Sequence, residues 1–189
     1  MNSLPKAASL SLVLLLATAI SGNAGSETLT KQPELSSEKR DADVSELRKR
    51  QLLFPIENFD VEGIKGSFNQ MRGSYRHNAS DIAAPRNTEI HAVDDGTIAK
   101  LFLSKHGGIT IYQFDRSKKF VYYYAHLEKY APGLADNQEV RKGQVLGFVG
   151  TSGDAPANSP HLHFEITLTG PNNQWWHAEP IDPFLVFKK

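Results

Sequence analysis

From Pro55 onward, short runs of alternating or β-branched apolar residues are separated by turn-forming residues. That texture predicts strands, because side chains two apart share one face of a pleated ribbon. Strands are expected near residues 63–68, 89–92, 96–103, 109–114, 120–126, 145–149 and 161–169. Between them lie Asp94-Asp95-Gly96, His106-Gly107-Gly108, Asp115-Arg116-Ser117, Lys142-Gly143 and Ser152-Gly153-Asp154, all good turn formers. No sustained 3.6-residue apolar period follows Leu53, and no repeat of fixed length is visible. The expected fold is all-β over residues 54–189: a single antiparallel sheet or partial barrel, barrel-sandwich-like, with long loops around a cleft.

The first 53 residues read differently. Lys6 precedes an apolar run over residues 7–20, and Gly22-Asn23-Ala24 supplies small residues for cleavage. Residues 1–24 are therefore read as a signal peptide. The run is shorter than the roughly 20 residues that span a bilayer. Residues 25–53 are polar and charged, and read as a linker whose one candidate element is a short helix over 44–53.

Composition narrows the chemistry. The 189 residues suit one domain plus extra sequence, with 40% hydrophobic and 22% charged residues. Lys+Arg and Asp+Glu are both 21, so no charge excess points to nucleic acid or to a basic partner. The chain has no cysteine. A thiol nucleophile, a thiolate metal site, disulfides and a lipid-modified cysteine are all excluded, and any metal must be held by His, Asp or Glu.

Three segments offer such ligands. In Pro160-His161-Leu162-His163-Phe164-Glu165-Ile166, strand periodicity puts His161, His163 and Glu165 on one face and Leu162, Phe164 and Ile166 on a core face. In residues 120–127, the same periodicity groups His126 with Tyr122 and Tyr124, opposite Val121, Tyr123 and Ala125. His77-Asn78-Ala79-Ser80-Asp81 reads as a loop entering a short strand, able to bring one nitrogen and one oxygen ligand onto one cation. Each segment alone has an ordinary structural explanation, as a surface pair, a satisfied core histidine or a chance spacing. Periodicity does not say whether His161 or His163 would bind a metal. The helical His-Glu-x-x-His motif, the Gly-x-Ser-x-Gly turn and the Gly-x-x-x-x-Gly-Lys phosphate loop are absent.

Taken in order, His77–Asp81, Ala84-Pro85, Ala92-Val93-Asp94-Asp95-Gly96 and Tyr124-Ala125-His126-Leu127 form the first half of a longer pattern. Lys142-Gly143-Gln144, Gly147 through Gly153, His161–Glu165 and Asp182-Pro183 complete it. Over residues 63–183 the chain resembles the lysostaphin-like, or LytM-type, zinc peptidases that cut peptide cross-links of bacterial cell walls. The resemblance implies one zinc ion held by His77, Asp81 and His163, with His126 and His161 as unligated catalytic histidines. It implies a metal-activated water attacking a peptidoglycan cross-link, either a D-Ala–diaminopimelate bond or a glycine bridge. An exported chain without a wall-binding repeat points to the D-Ala–diaminopimelate bond in a periplasm or cell envelope. The partner implied is the peptidoglycan substrate, with no nucleic acid and no stable membrane span after cleavage of the leader.

Three departures from the family pattern stand out. Ala79 and Asn69 replace usual glycines, and residues 154–160 form an insertion before the His-x-His strand. His91, His106 and His177 read as surface or structural residues, and Asn78-Ala79-Ser80 as a chance glycosylation sequon. Trp175 and Trp176 suit either a substrate groove or the core. Two rival readings remain. One is a non-catalytic wall-binding or hydrolase-activating module of the same fold, which would be expected to lose metal ligands. The other is a carrier-type β-sandwich, which needs a modifiable lysine on an exposed hairpin.

Overall fold

A computed structural model describes residues 37–176 and 179–189. The leader read over residues 1–24, the first part of the linker and His177 lie outside the described residues. Helix α1, Ser37–Lys49, opens the described chain. The charged sequence predicts a linker with a short helix over 44–53; the helix instead begins at Ser37, ends before Arg50 and is docked. Its polarity on almost every side hides it from a search for apolar periodicity. Leu47, fully buried, joins the core, and Asp43 pairs with Lys119 Nζ at 2.7 Å. Just beyond the helix, the Arg50 guanidinium donates to Asp115 at 2.8 Å and to Asp94 at 3.4 Å.

Where residues 63–68 read as a strand, the chain forms a 3-10 turn, Val61–Ile64. Asp60 is the physical reason. Its carboxylate accepts the N–H of Glu62 at 3.1 Å and caps the turn, and Gly66, at φ 80°, then bends the chain away. The strands follow: β1 (Met71–Arg72), β2 (Tyr75–Arg76), β3 (Ser80–Ala83), β4 (Glu89–His91), β5 (Gly96–Ser104) and β6 (Gly108–Asp115). Then come β7 (Phe120–Tyr130), β8 (Glu139–Val140), β9 (Val145–Val149), β10 (His161–Leu168) and β11 (Pro180–Ile181). A short helix α2, Pro183–Phe187, closes the chain. The Asp182-Pro183 pair starts it: the Asp182 carboxylate accepts the Phe184 N–H at 2.9 Å, and proline at the first helical position wastes no donor.

The fold is mostly β, and all pairings are antiparallel, as the alternation predicts. β1 and β2 form a separate hairpin; the main sheet runs β11-β10-β7-β6-β5-β8. β3 adds to the free edge of β10, and β9, with β4 beyond it, adds to the far half of β7. β7 thus changes partner along its length, from β10 up to Ala125 to β9 from Leu127.

One face of this sheet is the core. Leu162, Phe164 and Ile166 from β10 are fully buried, as expected, against Tyr122 and Tyr124 of β7 and Ile111 of β6. Each fully buried side chain of this size contributes about 1.5–3 kcal/mol. The buried phenols are satisfied: Tyr124 Oη donates to Gln113 Oε1 at 2.8 Å, and Tyr122 Oη to Asp94 Oδ2 at 3.1 Å. No helix among the described residues is long and apolar enough to cross a membrane.

Candidate metal centre and active site

Antiparallel register builds the first half of the site. β3 lies on β10 with Asp81 directly opposite His163, and on the other side of β10 His163 faces Ala125 of β7. Directly opposed residues share a sheet face, so Asp81 and His163 project together, away from the core. Their contact is Asp81 Oδ1 to His163 Nδ1, 3.1 Å.

His77 comes from the turn before β3. Its N–H donates to Gln70 O at 2.9 Å, and the N–H of Asn78 donates to Phe68 O at 3.0 Å. The left-handed residue of this turn is Asn78 (φ 57°), not Ala79, so alanine at the usual glycine position carries no backbone strain. Ser67 anchors both ligand candidates: its carbonyl accepts from His77 Nδ1 at 3.1 Å, and its hydroxyl accepts the Asp81 N–H at 3.2 Å. That leaves His77 Nε2 facing Asp81 Oδ1 at 3.1 Å and His163 Nδ1 at 3.2 Å. Asn69, the second replaced glycine, accepts from Arg76 at 3.0 Å, and Arg72 forms an ion pair with Asp81 Oδ2.

One donor atom from each of His77, Asp81 and His163 lies within 4.8 Å of the others, so these three could hold a metal ion. The charge balance favours a cation. Burial pushes the Asp81 carboxyl up, but hydrogen bonds from His163, His77 and Arg72 outweigh it and hold the group ionised, well below the usual carboxylate range. Burial lowers His163, yet Asp81 on Nδ1 and Glu165 on Nε2 overcome that and raise it to about 9. His163 Nε2 donates to Glu165 Oε1 at 2.9 Å. A metal would take the place of the Nδ1 proton, with the Glu165 carboxylate still orienting the ring. His161, the alternative in the His-x-His pair, stands further off, its Nε2 at 3.9 Å from Asp81 Oδ1.

His126 reaches this face by a route that alternation does not predict. Strict alternation groups it with Tyr122 and Tyr124, which point into the core. Between Ile109↔Leu127 and Ile111↔Tyr124, however, β7 carries one more residue than β6, a β-bulge. His126 sits in it at φ 62°, a left-handed conformation that costs a non-glycine residue about 1–2 kcal/mol. The bulge turns its ring toward His161 (centroids 4.9 Å apart) and His163 (5.6 Å).

The bulge is held by the loops around it. The His126 N–H donates to Gly107 O at 2.8 Å. The Ser152 hydroxyl donates to Leu127 O at 2.6 Å and accepts the Ile109 N–H at 2.9 Å. Gly150 packs so close to the Glu128 backbone that a Cβ would collide with it, and Gly153 (φ 77°) lies equally close to the carbonyl of His106. The glycines of this loop let it reach the bulge.

The two further histidines share one arrangement. His126 Nδ1 donates to Ser152 O, and His161 Nδ1 donates to Ser159 O, both at 2.8 Å. Each Nε2 is then free to accept a proton. Burial, with the neighbouring His163 and His161, pushes His126 below its ordinary value despite the Ser152 carbonyl. It is therefore neutral near pH 7, as a proton acceptor must be.

His77, His126, His163 and Glu165 line a cleft of about 470 Å³ whose walls include Tyr75, Tyr123 and, from the inserted segment, Asp154. Asp154 holds the exposed His106 at 3.0 Å. His91 is buried beside Glu89 (3.6 Å), outside the cleft. Sequence reading did not find Ser67, Ser152 or Ser159, whose backbone carbonyls orient three histidines. Carbonyl contacts leave no residue-type signal.

A family model, "Peptidase family M23", matches residues 75–183. Among curated proteins, the DD-carboxypeptidase/endopeptidase Mpg of Neisseria meningitidis serogroup B is 33% identical over 111 residues, covering 58% of this chain and 22% of that protein. The L-Ala–D-Glu endopeptidase of Bacillus subtilis is 30% identical over 104 residues, covering 52% of this chain and 32% of its own length. The chain thus spans between about a fifth and a third of these relatives. Among solved structures, Helicobacter pylori Csd3 aligns with a TM-score of 0.56 and 27% identity, over 73% of this chain and 33% of that one.

Proposed function

The chain belongs to peptidase family M23, and on that premise we propose that it is an exported zinc endopeptidase of the cell envelope that hydrolyses peptide cross-links of bacterial peptidoglycan. The observation that carries this reading is the convergence of His77, Asp81 and His163 within 4.8 Å beside two further histidines with free Nε2 atoms. Two nitrogen donors and one carboxylate oxygen, leaving further coordination positions open, match a catalytic zinc site rather than a closed structural one.

Held by His77, Asp81 and His163, zinc would supply Lewis acidity, lowering the pKa of a bound water toward about 7 and polarising the scissile carbonyl. The remaining work falls to the chain. Ser152 and Ser159 hold His126 and His161 in the tautomer whose Nε2 accepts a proton. As a pair these histidines take the proton of the attacking water and return it to the leaving amine. Asp81, kept ionised by Arg72, His77 and His163, balances the metal's charge, and Glu165 orients the His163 ring.

The bond cut is assigned to the D-Ala–diaminopimelate link. The neisserial relative's name, DD-carboxypeptidase/endopeptidase, favours this over a glycine bridge, while the Bacillus relative is named for L-Ala–D-Glu. The alternative, a non-catalytic wall-binding or activating module, is disfavoured by the presence of all five site side chains.

Metal analysis of dialysed variants tests the assignment of ligands. Wild type and His126→Ala should retain one zinc per chain, while Asp81→Ala and His163→Ala should retain none. Zinc retained by His163→Ala but lost from His161→Ala would reverse the roles of the two.

A further inference from the structure

The core uses one face of β5, β6, β7 and β10; the opposite face carries an aromatic surface that the proposed peptide hydrolysis does not use. A groove of about 660 Å³ runs along it, lined by Phe102, Tyr112, Tyr123, Trp175 and Trp176. The rings are continuous. Trp175 lies 5.9 Å from Phe102, 4.3 Å from Tyr112 and 4.7 Å from Trp176, and Tyr112 is 4.5 Å from Tyr123. Tyr123 in turn stands 6.0 Å from His163, and with His77 and Glu165 it also lines the metal cleft. The groove is therefore an extension of the cleft.

These rings are not a second core. Trp176 is 42% exposed and Phe102 41%, where a folded chain ordinarily avoids grouping large apolar side chains in water. The electrostatics restrict what fits. Among the described residues no lysine or arginine lines the groove, and Glu165 is the one carboxylate. The free carboxylates of a stem peptide find no partner there. A neutral pyranose does: its C–H face stacks on the negative faces of aromatic rings, and its hydroxyl and acetamido donors meet Glu165 and Thr167.

We propose that this groove is a saccharide subsite, which seats an N-acetylated sugar of the glycan strand while the attached peptide enters the metal cleft. The proposal rests on the peptidoglycan reading and gives that substrate a second point of attachment.

The chain contains two tryptophans, and both line the groove, so intrinsic tryptophan emission reports on it alone. Titration with an N-acetylglucosamine oligomer should change that emission saturably, while a sugar-free stem peptide should not. Trp176→Ala, with Trp175 still reporting, should weaken saccharide binding about tenfold, and Trp176→Tyr should restore most of it. In hydrolysis, Trp176→Ala should lower kcat/KM for glycan-linked cross-links relative to the same cross-link without sugar, again about tenfold. No response to the saccharide, a response to the peptide alone, or binding indifferent to Trp176→Ala would overturn the subsite. Saccharide binding by a protein that cleaves neither substrate would remove the peptidase reading and leave the subsite standing. Cleavage without saccharide binding would do the reverse.

Discussion

His163 donates Nε2–H to Glu165 Oε1 at 2.9 Å, which turns its Nδ1 toward Asp81 and His77. The two residues are neighbours on one strand face, and the carboxylate decides which nitrogen the ring presents. Glu165→Gln keeps the shape and removes the charge. Zinc affinity, measured by chelator competition, should fall at least about tenfold, the lower end for losing such an outer partner. The circular dichroism spectrum should stay unchanged.

His126 acts through a ring placed by the bulge rather than by metal binding. His126→Ala should reduce turnover by about 10²–10⁴-fold, the usual range for losing a positioned acid or base. Zinc content should remain at the wild-type level. Hydrolysis rates and metal analysis on the same preparation check both halves of this expectation.

Leu47 ties α1 to the core. If α1 were the free linker that the charged sequence suggests, Leu47→Ala would be silent in unfolding experiments. With Leu47 fully buried among core residues, the substitution should cost about 2–5 kcal/mol in urea-induced unfolding.

Asp115 sets an acid limit on stability. Burial pushes its carboxyl up, but Ser117, Arg50 and the Phe120 N–H outweigh that and hold it below the usual range. The unfolded chain therefore binds more protons at low pH. The carboxylate's contribution is fully present above the unfolded value of about 3.9 and is lost as pH falls through the lower folded value. Asp115→Asn should lower the melting temperature at pH 7, losing about 2 kcal/mol of charged hydrogen bonds, and flatten the fall below about pH 4. Melting curves across that range test the sign.

β10 was legible because it alternates between a core face and an outer face, Leu162, Phe164 and Ile166 against His161, His163 and Glu165. β6 and β7, buried on both faces over much of their length, were legible because they are runs of β-branched and aromatic residues. Two-residue strands such as β8 and β11 are too short for any period to emerge. The 3-10 turn at 61–64 was misread because a single capping aspartate outweighs weak strand propensity. α1 was misread because Leu47 with Val44, and the pairing of Asp43 and Glu46 with Lys119, dock an otherwise polar helix.

At the site, the residue types were legible and their orientation was not. Periodicity grouped His126 with Tyr122 and Tyr124, which the fold buries in its core, and only the bulge, which leaves no compositional mark, turns His126 to the cleft. The separate placing of His161 and His163 depends on the register of β3 against β10, which no local pattern contains.

The central claim is catalysis of cross-link hydrolysis. Purified, cross-linked muropeptide dimers incubated with the zinc-loaded protein and followed by mass spectrometry test it most directly. The account predicts that dimers disappear into two fragments whose masses sum to the dimer plus one water, cut at the D-Ala–diaminopimelate bond, with cleavage by His126→Ala slowed about 10²–10⁴-fold. Intact dimers in the presence of protein carrying a full complement of zinc would contradict it.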